Sequence, residues 1–289
     1  MINYKGKNVL ITGASMGIGK GLSLCFARDG AHLALTDLPQ EKDRLESWAE
    51  ELRKTYGITV WTFYGDLTEK GGPEKLHAEV KAAVGTINAL VNNAGIAWYG
   101  LFKDMPPARF EKLLLLNCMA YTKLTRLVLP DMVARNEGGI LNVSSGTAFA
   151  PLPTMTVYGA SKAYTQSFTE GVRLELPRGS KVVITALDPP FVRTPLIKDS
   201  GYPSDYLLLV LTVVEVDKVT ELGYRAFKKG NIRYVHGLLS KLLIFVVVRF
   251  IPRRWSNGLI WLLTHRLSDF LPKPVVSWIL KLRSLETER

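Results

Sequence analysis

The chain has 289 residues, of which 47% are hydrophobic and 22% are charged, a composition typical of a folded globular protein and not of a disordered one. Its formal net charge of +11 is unevenly placed, because residues 228–289 contain 12 basic and 3 acidic residues whereas the rest of the chain is nearly balanced. Two cysteines, Cys25 and Cys118, are too few for a disulfide scaffold or a cysteine-rich metal site. We expect buried thiols, no metal and a cytoplasmic protein.

Short apolar runs alternate with amphipathic segments along the first 190 residues. This alternation indicates βαβ units, in which helices cover both faces of a parallel sheet. We predict an α/β fold, a doubly wound parallel sheet of the Rossmann type, in a single domain of residues 1–237 followed by a helical extension, 238–289. The predicted strands are 7–12, 32–36, 58–63, 88–93, 139–144 and 181–187, with a weaker seventh at 232–236. The predicted helices lie near 17–29, 40–56, 69–84, 106–134, 155–177 and 215–230.

A glycine-rich turn, TGASMGIG at 12–19, follows the first predicted strand. Gly13, Gly17 and Gly19 let the backbone turn sharply and approach a pyrophosphate, and the next helix presents its free N–H groups to the phosphates. A purely structural turn would use the same glycines. The strand before the turn and the helix after it favour a dinucleotide site.

The second predicted strand ends at Asp37. A carboxylate there is placed to accept both hydroxyl groups of an adenosine ribose, and it would repel a 2′-phosphate. No arginine follows Asp37 directly, and Met16 occupies a place from which a basic residue would reach that phosphate. These features predict NAD as the cofactor, with NADP less favoured. A helix N-cap is the alternative role for Asp37.

Five separated motifs together resemble the short-chain dehydrogenase/reductase family, from residue 5 to about residue 195. They are TGASMGIG at 12–19, Asp66 with Leu67, NNAG at 92–95 with Asn117, VSS at 143–145 and YGASK at 158–162. The resemblance implies an NAD(P)-dependent oxidoreductase in which Tyr158 is the acid/base and Ser145 stabilises the substrate oxygen. It assigns Lys162 to the ribose and to the activation of Tyr158, and Asn117 to a water-mediated proton relay with Lys162. A buried asparagine bonded to the backbone is the alternative for Asn117.

Tyr158 and Lys162 are four residues apart, so on a helix they share one face. A cation about 4 Å from the phenol, at an effective dielectric constant of about 20, contributes about 4 kcal/mol, which is roughly three pKa units. We therefore expect Lys162 to lower the pKa of Tyr158 from its ordinary value of about 10 towards neutrality.

The resemblance also implies the contacts to the cofactor. Asp66 and Leu67 correspond to the pair that meets the adenine ring, with a simple turn residue as the alternative for Asp66. The segment 189–194 corresponds to one that contacts the nicotinamide carboxamide. Pro190 stands where the family has glycine, which removes a backbone N–H and fixes φ. The expected cofactor-binding residues are Gly13, Ser15, Met16, Gly17, Ile18, Gly19, Asp37, Asp66, Leu67, Asn93, Ala94, Gly95, Tyr158, Lys162, Pro189, Val192 and Thr194.

The last third of the chain is expected to supply the substrate site and an attachment surface. Segment 201–214 corresponds to the variable substrate loop of the family, and its leucines and valines favour a lipophilic alcohol or ketone of acyl-chain, steroid or retinoid type. A core helix is an equally good interpretation of this segment.

The basic extension 238–289 has two interpretations. Its longest apolar run, 242–248, is too short to span a bilayer. Its tryptophans and arginines favour peripheral contact with a membrane surface, and the rival is a helical extension that packs on the domain or across the interface of a homo-oligomer. We expect no nucleic acid partner, because no recognition motif accompanies the charge. A nucleotide sensor and a membrane-recruited adaptor, both non-catalytic, are the alternative functions.

Overall fold

The computed structural model describes residues 2–237 and 253–282. In these residues seven parallel strands form one sheet in the order β3-β2-β1-β4-β5-β6-β7. The strands are β1 (Asn8–Thr12), β2 (His32–Asp37), β3 (Val60–Tyr64), β4 (Ala89–Asn92), β5 (Gly139–Val143), β6 (Val183–Asp188) and β7 (Arg233–Val235). The predicted α/β fold with a doubly wound parallel sheet is confirmed, and the weak strand at 232–236 is its seventh strand.

Helices cover both faces of the sheet. They are α1 (Gly17–Arg28), α2 (Lys42–Tyr56), α3 (Gly72–Val84), α4 (Pro107–Leu114), α5 (Tyr121–Ala134), α6 (Thr156–Leu174), α7 (Pro195–Asp199), α8 (Leu207–Thr212), α9 (Val216–Lys228), α10 (Arg253–Leu263) and α11 (Lys273–Leu282). Successive side chains of β1 point to opposite faces. Val9 and Ile11 therefore pack with Phe26 of α1, whereas Leu10 packs with Leu124 of α5. The central strands consist mainly of apolar residues because both faces of the sheet are buried there.

The helix predicted at 106–134 spans residues 107–134, but it is not α-helical throughout. A π-helical segment, Leu115–Ala120, separates α4 from α5. Such a segment interrupts the regular i to i−4 hydrogen bonding and is frequent at functional sites. Here it carries Asn117, whose side chain is fully buried.

The described part of the C-terminal extension packs back on the domain. Ile260 of α10 joins an apolar cluster that contains Tyr158, and Val276 and Leu280 of α11 pack against Val210 of α8. Within residues 2–237 and 253–282, every helix is too short or too polar to cross a membrane. The apolar run 242–248 lies outside the described residues. The boundary between domain and extension at residue 237 stays a prediction.

Candidate active site

A cavity of about 420 Å³ lies at the carboxyl edge of the sheet. The residues that line it follow six successive strands: Gly13 after β1, Asp37 at the end of β2, Asp66 after β3, Asn93 after β4, Ser145 after β5 and Pro189 after β6. Parallel strands end at one edge, so residues far apart in sequence meet there. Most of the predicted site residues line this cavity. The exceptions are Ser15, Gly19 and Asn117.

The glycine turn is built for close approach of its backbone to a ligand. Gly13 has φ of 64°, in the left-handed region that glycine tolerates. A Cβ on Gly19 would lie 2.1 Å from the carbonyl oxygen of Gly13, so no larger residue is accommodated there. The side chain of Asn93 donates to the carbonyl oxygens of Thr12 and Gly13, each at 2.9 Å. Asn93 therefore holds the turn in shape from behind.

Asp37 is fixed beside this turn. Its Oδ2 accepts from the backbone N–H of Ser15 at 3.0 Å, and its Oδ1 accepts from the N–H of Leu38 at 2.9 Å. Because α2 begins only at Lys42, Asp37 does not cap that helix, and the N-cap alternative is wrong. Asp37 lines the cavity, and its role at a ribose stays a prediction.

The sequence reasoning missed an arginine near this position. Arg44 of α2 places Nη1 3.8 Å from Sδ of Met16 and 2.6 Å from Oε2 of Glu41. The signal in the sequence was an arginine in the first turn of the helix that follows β2, although this arginine does not come directly after Asp37. Glu41 also lines the cavity. Arg44 is thus paired with Glu41 while it also lies beside Met16.

The predicted adenine end contains Asp66 and Leu67, and both line the cavity. The Oδ1 of Asp66 accepts from the N–H of Thr68 at 2.9 Å, and its Oδ2 accepts from Nζ of Lys112 at 2.9 Å. The carboxylate of Asp66 is therefore both a turn residue and an ion-pair partner. Ile18, Ala94 and Gly95 line the neighbouring wall.

Tyr158 and Lys162 lie on one face of α6, and both are buried in the cavity wall, 9% and 3% exposed. The Nζ of Lys162 lies 5.7 Å from the ring centroid of Tyr158 and donates to the carbonyl oxygen of Val143 at 2.9 Å. Ser145 also acts on the phenol of Tyr158, and its effect is to lower the pKa of that group. Ser144 points away, as expected from strand geometry, and its hydroxyl donates to the carbonyl oxygen of Lys162 at 2.8 Å.

The expected lowering of the Tyr158 pKa is wrong for the chain by itself. Burial raises the pKa of Tyr158 to about 12, and the hydrogen bond with Ser145 opposes this only in part. Burial also lowers the pKa of Lys162 to about 8. Desolvation disfavours the charged form of both groups, and it is the largest influence on the pKa of each.

Asn117 makes hydrogen bonds with its whole side chain. Its Oδ1 accepts from the N–H of Ile96, and its Nδ2 donates to the carbonyl oxygen of Ile96, each at 3.0 Å. A Cβ on Gly95 would lie 3.1 Å from Oδ1 of Asn117 and 3.6 Å from Nζ of Lys162. The side chain therefore positions the backbone beside Lys162, in the manner of the structural alternative. Its part in a proton relay stays a prediction.

The predicted nicotinamide segment also reaches the cavity, through Pro189, Val192 and Thr194. The carbonyl oxygen of Pro189 accepts from the N–H of Gly146 at 2.7 Å, which ties this segment to the loop after β5. Pro190 lines the cavity without a cis peptide bond.

Asp188, which precedes this segment, was not predicted as a site residue. It is fully buried, and burial raises its pKa to about 7 although Ser144, Arg233 and Lys162 oppose that rise. A carboxyl group at the end of a central strand, directly before the predicted nicotinamide segment, was the available signal.

The residues present fit a dinucleotide. Gly19 leaves no room for a side chain against the turn. The hydroxyl of Ser15 is buried and has no hydrogen-bond partner in the described part of the chain, although a buried hydroxyl normally has one. A phosphate oxygen at the turn would supply that partner.

Comparison with known proteins agrees with this site. The family model for short chain dehydrogenase matches residues 7–203. The chain belongs to the short-chain dehydrogenase family. The predicted family is thereby confirmed, and the protein is an NAD(P)-dependent oxidoreductase.

Three relatives show how far the likeness extends. This short-chain dehydrogenase is 31% identical to the very-long-chain 3-oxoacyl-CoA reductase of Anas platyrhynchos, over 74% of its own length and 71% of that protein. It is 30% identical to the 17-beta-hydroxysteroid dehydrogenase type 3 of Mus musculus, over 93% of its own length and 85% of that protein. A solved short-chain dehydrogenase from Sphingobium yanoikuyae, in complex with NADPH, has 29% identity and a TM-score of 0.74, covering 92% of this chain and 97% of its own.

Proposed function

We propose that this short-chain dehydrogenase interconverts an alcohol and a ketone in a lipophilic substrate and that NAD is its cofactor. The observation that carries the proposal is that Tyr158, Ser145 and Lys162 line the same cavity as Gly13 and Asp37. A proton-transferring group and a nucleotide cradle in one enclosed space are what hydride transfer to or from a carbinol carbon requires.

The cofactor, when bound, accepts or donates the hydride. The glycine turn and α1 hold its pyrophosphate, and Asp37 holds its adenosine ribose. Ser145 donates a hydrogen bond to the substrate oxygen and stabilises the negative charge that develops there. Tyr158 takes the hydroxyl proton during oxidation and returns it during reduction. Because burial raises the pKa of Tyr158 to about 12 in the chain by itself, proton transfer near pH 7 depends on the positive charge that the oxidised cofactor would add to that of Lys162.

The preference for NAD rests on the acidic edge of the cavity. Asp37 and Glu41 both line that edge, and Glu41 is paired with Arg44. Two carboxylates disfavour a 2′-phosphate by charge repulsion. The relative from Sphingobium yanoikuyae was solved with NADPH, so the preference is tested directly by comparing kcat/KM for NAD and NADP. Replacing Asp37 by alanine is expected to bring the two values closer together.

The lipophilic substrate class rests on the other end of the cavity. Leu152, Met155, Phe191 and Tyr202 line it there, and these side chains offer hydrocarbon rather than ionic contacts. Two relatives are named for a very-long-chain 3-oxoacyl-CoA and for a 17-beta-hydroxysteroid. Those names support an acyl-chain or steroid-like alcohol or ketone, and hence a role in lipid metabolism.

Contact with a membrane surface is the second part of the proposal. The outer faces of α10 and α11 expose Trp255, Trp261 and Trp278, which are 65%, 57% and 63% exposed. Arg254 and Lys281 lie exposed on the same two helices. Exposed tryptophans beside basic residues favour the interface of an anionic bilayer. Cosedimentation with anionic vesicles is expected for the full chain and is expected to fall when Trp255 and Trp278 are replaced by serine. Self-association without vesicle binding would favour the homo-oligomer interpretation instead.

The activity is tested with the purified chain, NAD or NADP and a panel of lipophilic secondary alcohols, by the absorbance of the reduced nicotinamide. We expect turnover with NAD, and loss of turnover but not of NAD binding in Tyr158→Phe. Undiminished turnover in that variant would remove Tyr158 from the mechanism. Tight NAD binding without turnover of any alcohol or ketone would favour the nucleotide sensor.

A further inference from the structure

The C-terminal extension contributes directly to the predicted substrate end of the cavity. Leu259 and Ile260 of α10 line the same cavity as Tyr158. Ile260 is 8% exposed and belongs to one apolar cluster with Tyr158, Leu152 and Met155. Its neighbour Trp261 is 57% exposed. A smaller apolar residue is thus buried on the inner face of α10, while a larger one on the outer face is left exposed.

Asp205 connects the segment before α8 to the extension. Asp205 is nearly buried, and its Oδ1 accepts from Nε of Arg266 at 2.8 Å. Its Oδ2 accepts from the hydroxyl of Ser268 at 2.6 Å. Although burial acts to raise the pKa of Asp205, the hydrogen bonds from Arg266 and Ser268 lower it overall. The carboxylate is therefore charged at neutral pH, and it holds the turn between α10 and α11 by charge-assisted hydrogen bonds.

Two further contacts continue this attachment. Tyr206, next to Asp205, forms an antiparallel bridge with Arg266. On α11, Val276 and Leu280 pack against Val210 of α8. The extension is thus fixed on both sides of the Asp205 contact, and α10 is held with Ile260 towards Tyr158.

We propose that α10 is a wall of the substrate site, with Ile260 as the residue that limits the length or bulk of the apolar group beside Tyr158, and with Asp205 as the positioning residue that holds this wall. The inference rests on the proposed function. The ligand class is a secondary alcohol or ketone with an unbranched hydrocarbon chain or fused rings, because the cluster around Ile260 is mainly apolar and carries no charged side chain. Charged groups at that end of the substrate would lose their hydration without compensation.

The test is a series of 2-alkanols from short to long chain, oxidised with saturating NAD by the full chain. Ile260→Trp is expected to lower kcat/KM for the longest alcohols at least about tenfold and to change that for 2-butanol by less than about twofold, because a filled site rejects only the longer chain. Ile260→Ala is expected to move the optimum to a longer or bulkier alcohol. Trp261→Ala, on the outer face of the same helix, is the matched control and is expected to leave the chain-length profile unchanged.

Asp205→Asn tests the attachment. It is expected to raise KM for long alcohols while KM for NAD stays the same, and to increase hydrogen exchange in residues 253–282. A general loss of stability would lower the rate with every alcohol by one factor and would leave the ratio of long to short substrates unchanged. That result, or an Ile260→Trp profile parallel to the wild-type profile, would overturn the inference.

Failure of the proposed function would be recognised separately. Stabilisation against heat by 2-dodecanol in the presence of NADH measures binding without turnover. If no alcohol reacts but 2-dodecanol stabilises the wild-type chain and not Ile260→Trp, the wall is supported and the reaction assignment fails. If 2-dodecanol stabilises both chains equally, the wall itself is wrong.

Discussion

Replacing Lys162 by methionine tests what makes Tyr158 a usable acid/base. The Nζ of Lys162 lies 5.7 Å from the ring centroid of Tyr158, and both side chains are buried. At an effective dielectric constant of about 20, unit charges at that distance interact by about 3 kcal/mol, which corresponds to about two pKa units. Methionine keeps an unbranched apolar stem and removes the charge. We therefore expect the apparent pKa of Tyr158 in the cofactor complex to rise by about two units.

The assay is the pH dependence of kcat/KM for alcohol oxidation at saturating NAD. A rate that needs the phenolate rises with pH up to the pKa of Tyr158. At pH 7 the variant is therefore expected to be about 100-fold slower than the wild type, since each pKa unit is worth a factor of ten. Because burial lowers the pKa of Lys162 to about 8, the wild type loses its cation above that pH. The difference in kcat/KM between the wild type and the variant should therefore become smaller above pH 8.

Lys112→Met is the matched control, because Lys112 also lines the cavity but pairs with Asp66. Its pH profile is expected to match the wild-type profile. KM for NAD is measured for both variants, which separates ribose binding from proton transfer. If Lys162→Met raises KM for NAD and leaves the pH profile within half a unit of the wild type, Lys162 only anchors the ribose and the electrostatic argument is wrong.

Three further results are expected. Gly19→Ala places a Cβ 2.1 Å from the carbonyl oxygen of Gly13 and should abolish NADH binding in a fluorescence titration. Binding at wild-type affinity would show that the turn can move to make room for the Cβ. Glu41→Gln releases Arg44 and should raise kcat/KM for NADP relative to NAD by up to about fivefold, since an exposed ion pair is worth up to about 1 kcal/mol; an unchanged ratio would place Arg44 outside cofactor selection. Burial raises the pKa of Asp188 from its ordinary 3.8 to about 7, so the folded chain binds more protons than the unfolded chain between those values and its stability falls as pH rises through that window. Asp188→Asn should remove this fall in urea denaturation between pH 4 and pH 7, and an identical slope in both proteins would assign it to other groups.

Local patterns predicted the sheet, the glycine turn and the helix that carries Tyr158. The spacing of apolar residues in the strands, the lengths of the strands and the glycines at 13, 17 and 19 can each be recognised within a short stretch of the sequence. All seven strands lie where they were predicted to within two residues at each end. The positions of the site residues that come after these strands could therefore also be predicted, because the carboxyl ends of parallel strands meet at one edge of the sheet.

Features set by contacts between distant segments were not predictable in this way. The pKa of Tyr158 depends on how far the folded chain removes the phenol from water, and this depends on contacts between distant segments. The four-residue spacing to Lys162 shows only the attraction that opposes this effect. The apolar residues of the π-helical segment Leu115–Ala120 are spaced as they would be in a regular α-helix, so the pattern could not predict this segment. Nothing in the sequence of α10 distinguishes Ile260 from the leucines around it, because the distinction arises only when α10 packs against residues between positions 96 and 202.

The strand order explains how this extension could alter the substrate site and leave the nucleotide site alone. In the sheet, β1 to β3 extend from the centre towards one edge and β4 to β7 extend towards the other edge. A crevice opens between β1 and β4, where the strand order changes direction. The residues Gly13 and Asp37 therefore lie on one side of this crevice and Tyr158 lies on the other. Every member of the apolar cluster around Ile260 comes from residue 96 or later in the described chain: from the loops after β4, β5 and β6, from α4, α6 and α7, and from α10 itself. A wall built only on that side changes which alcohol is accepted without contact with the cofactor turn. Chain-length selectivity and NAD affinity should therefore vary independently in variants of α10.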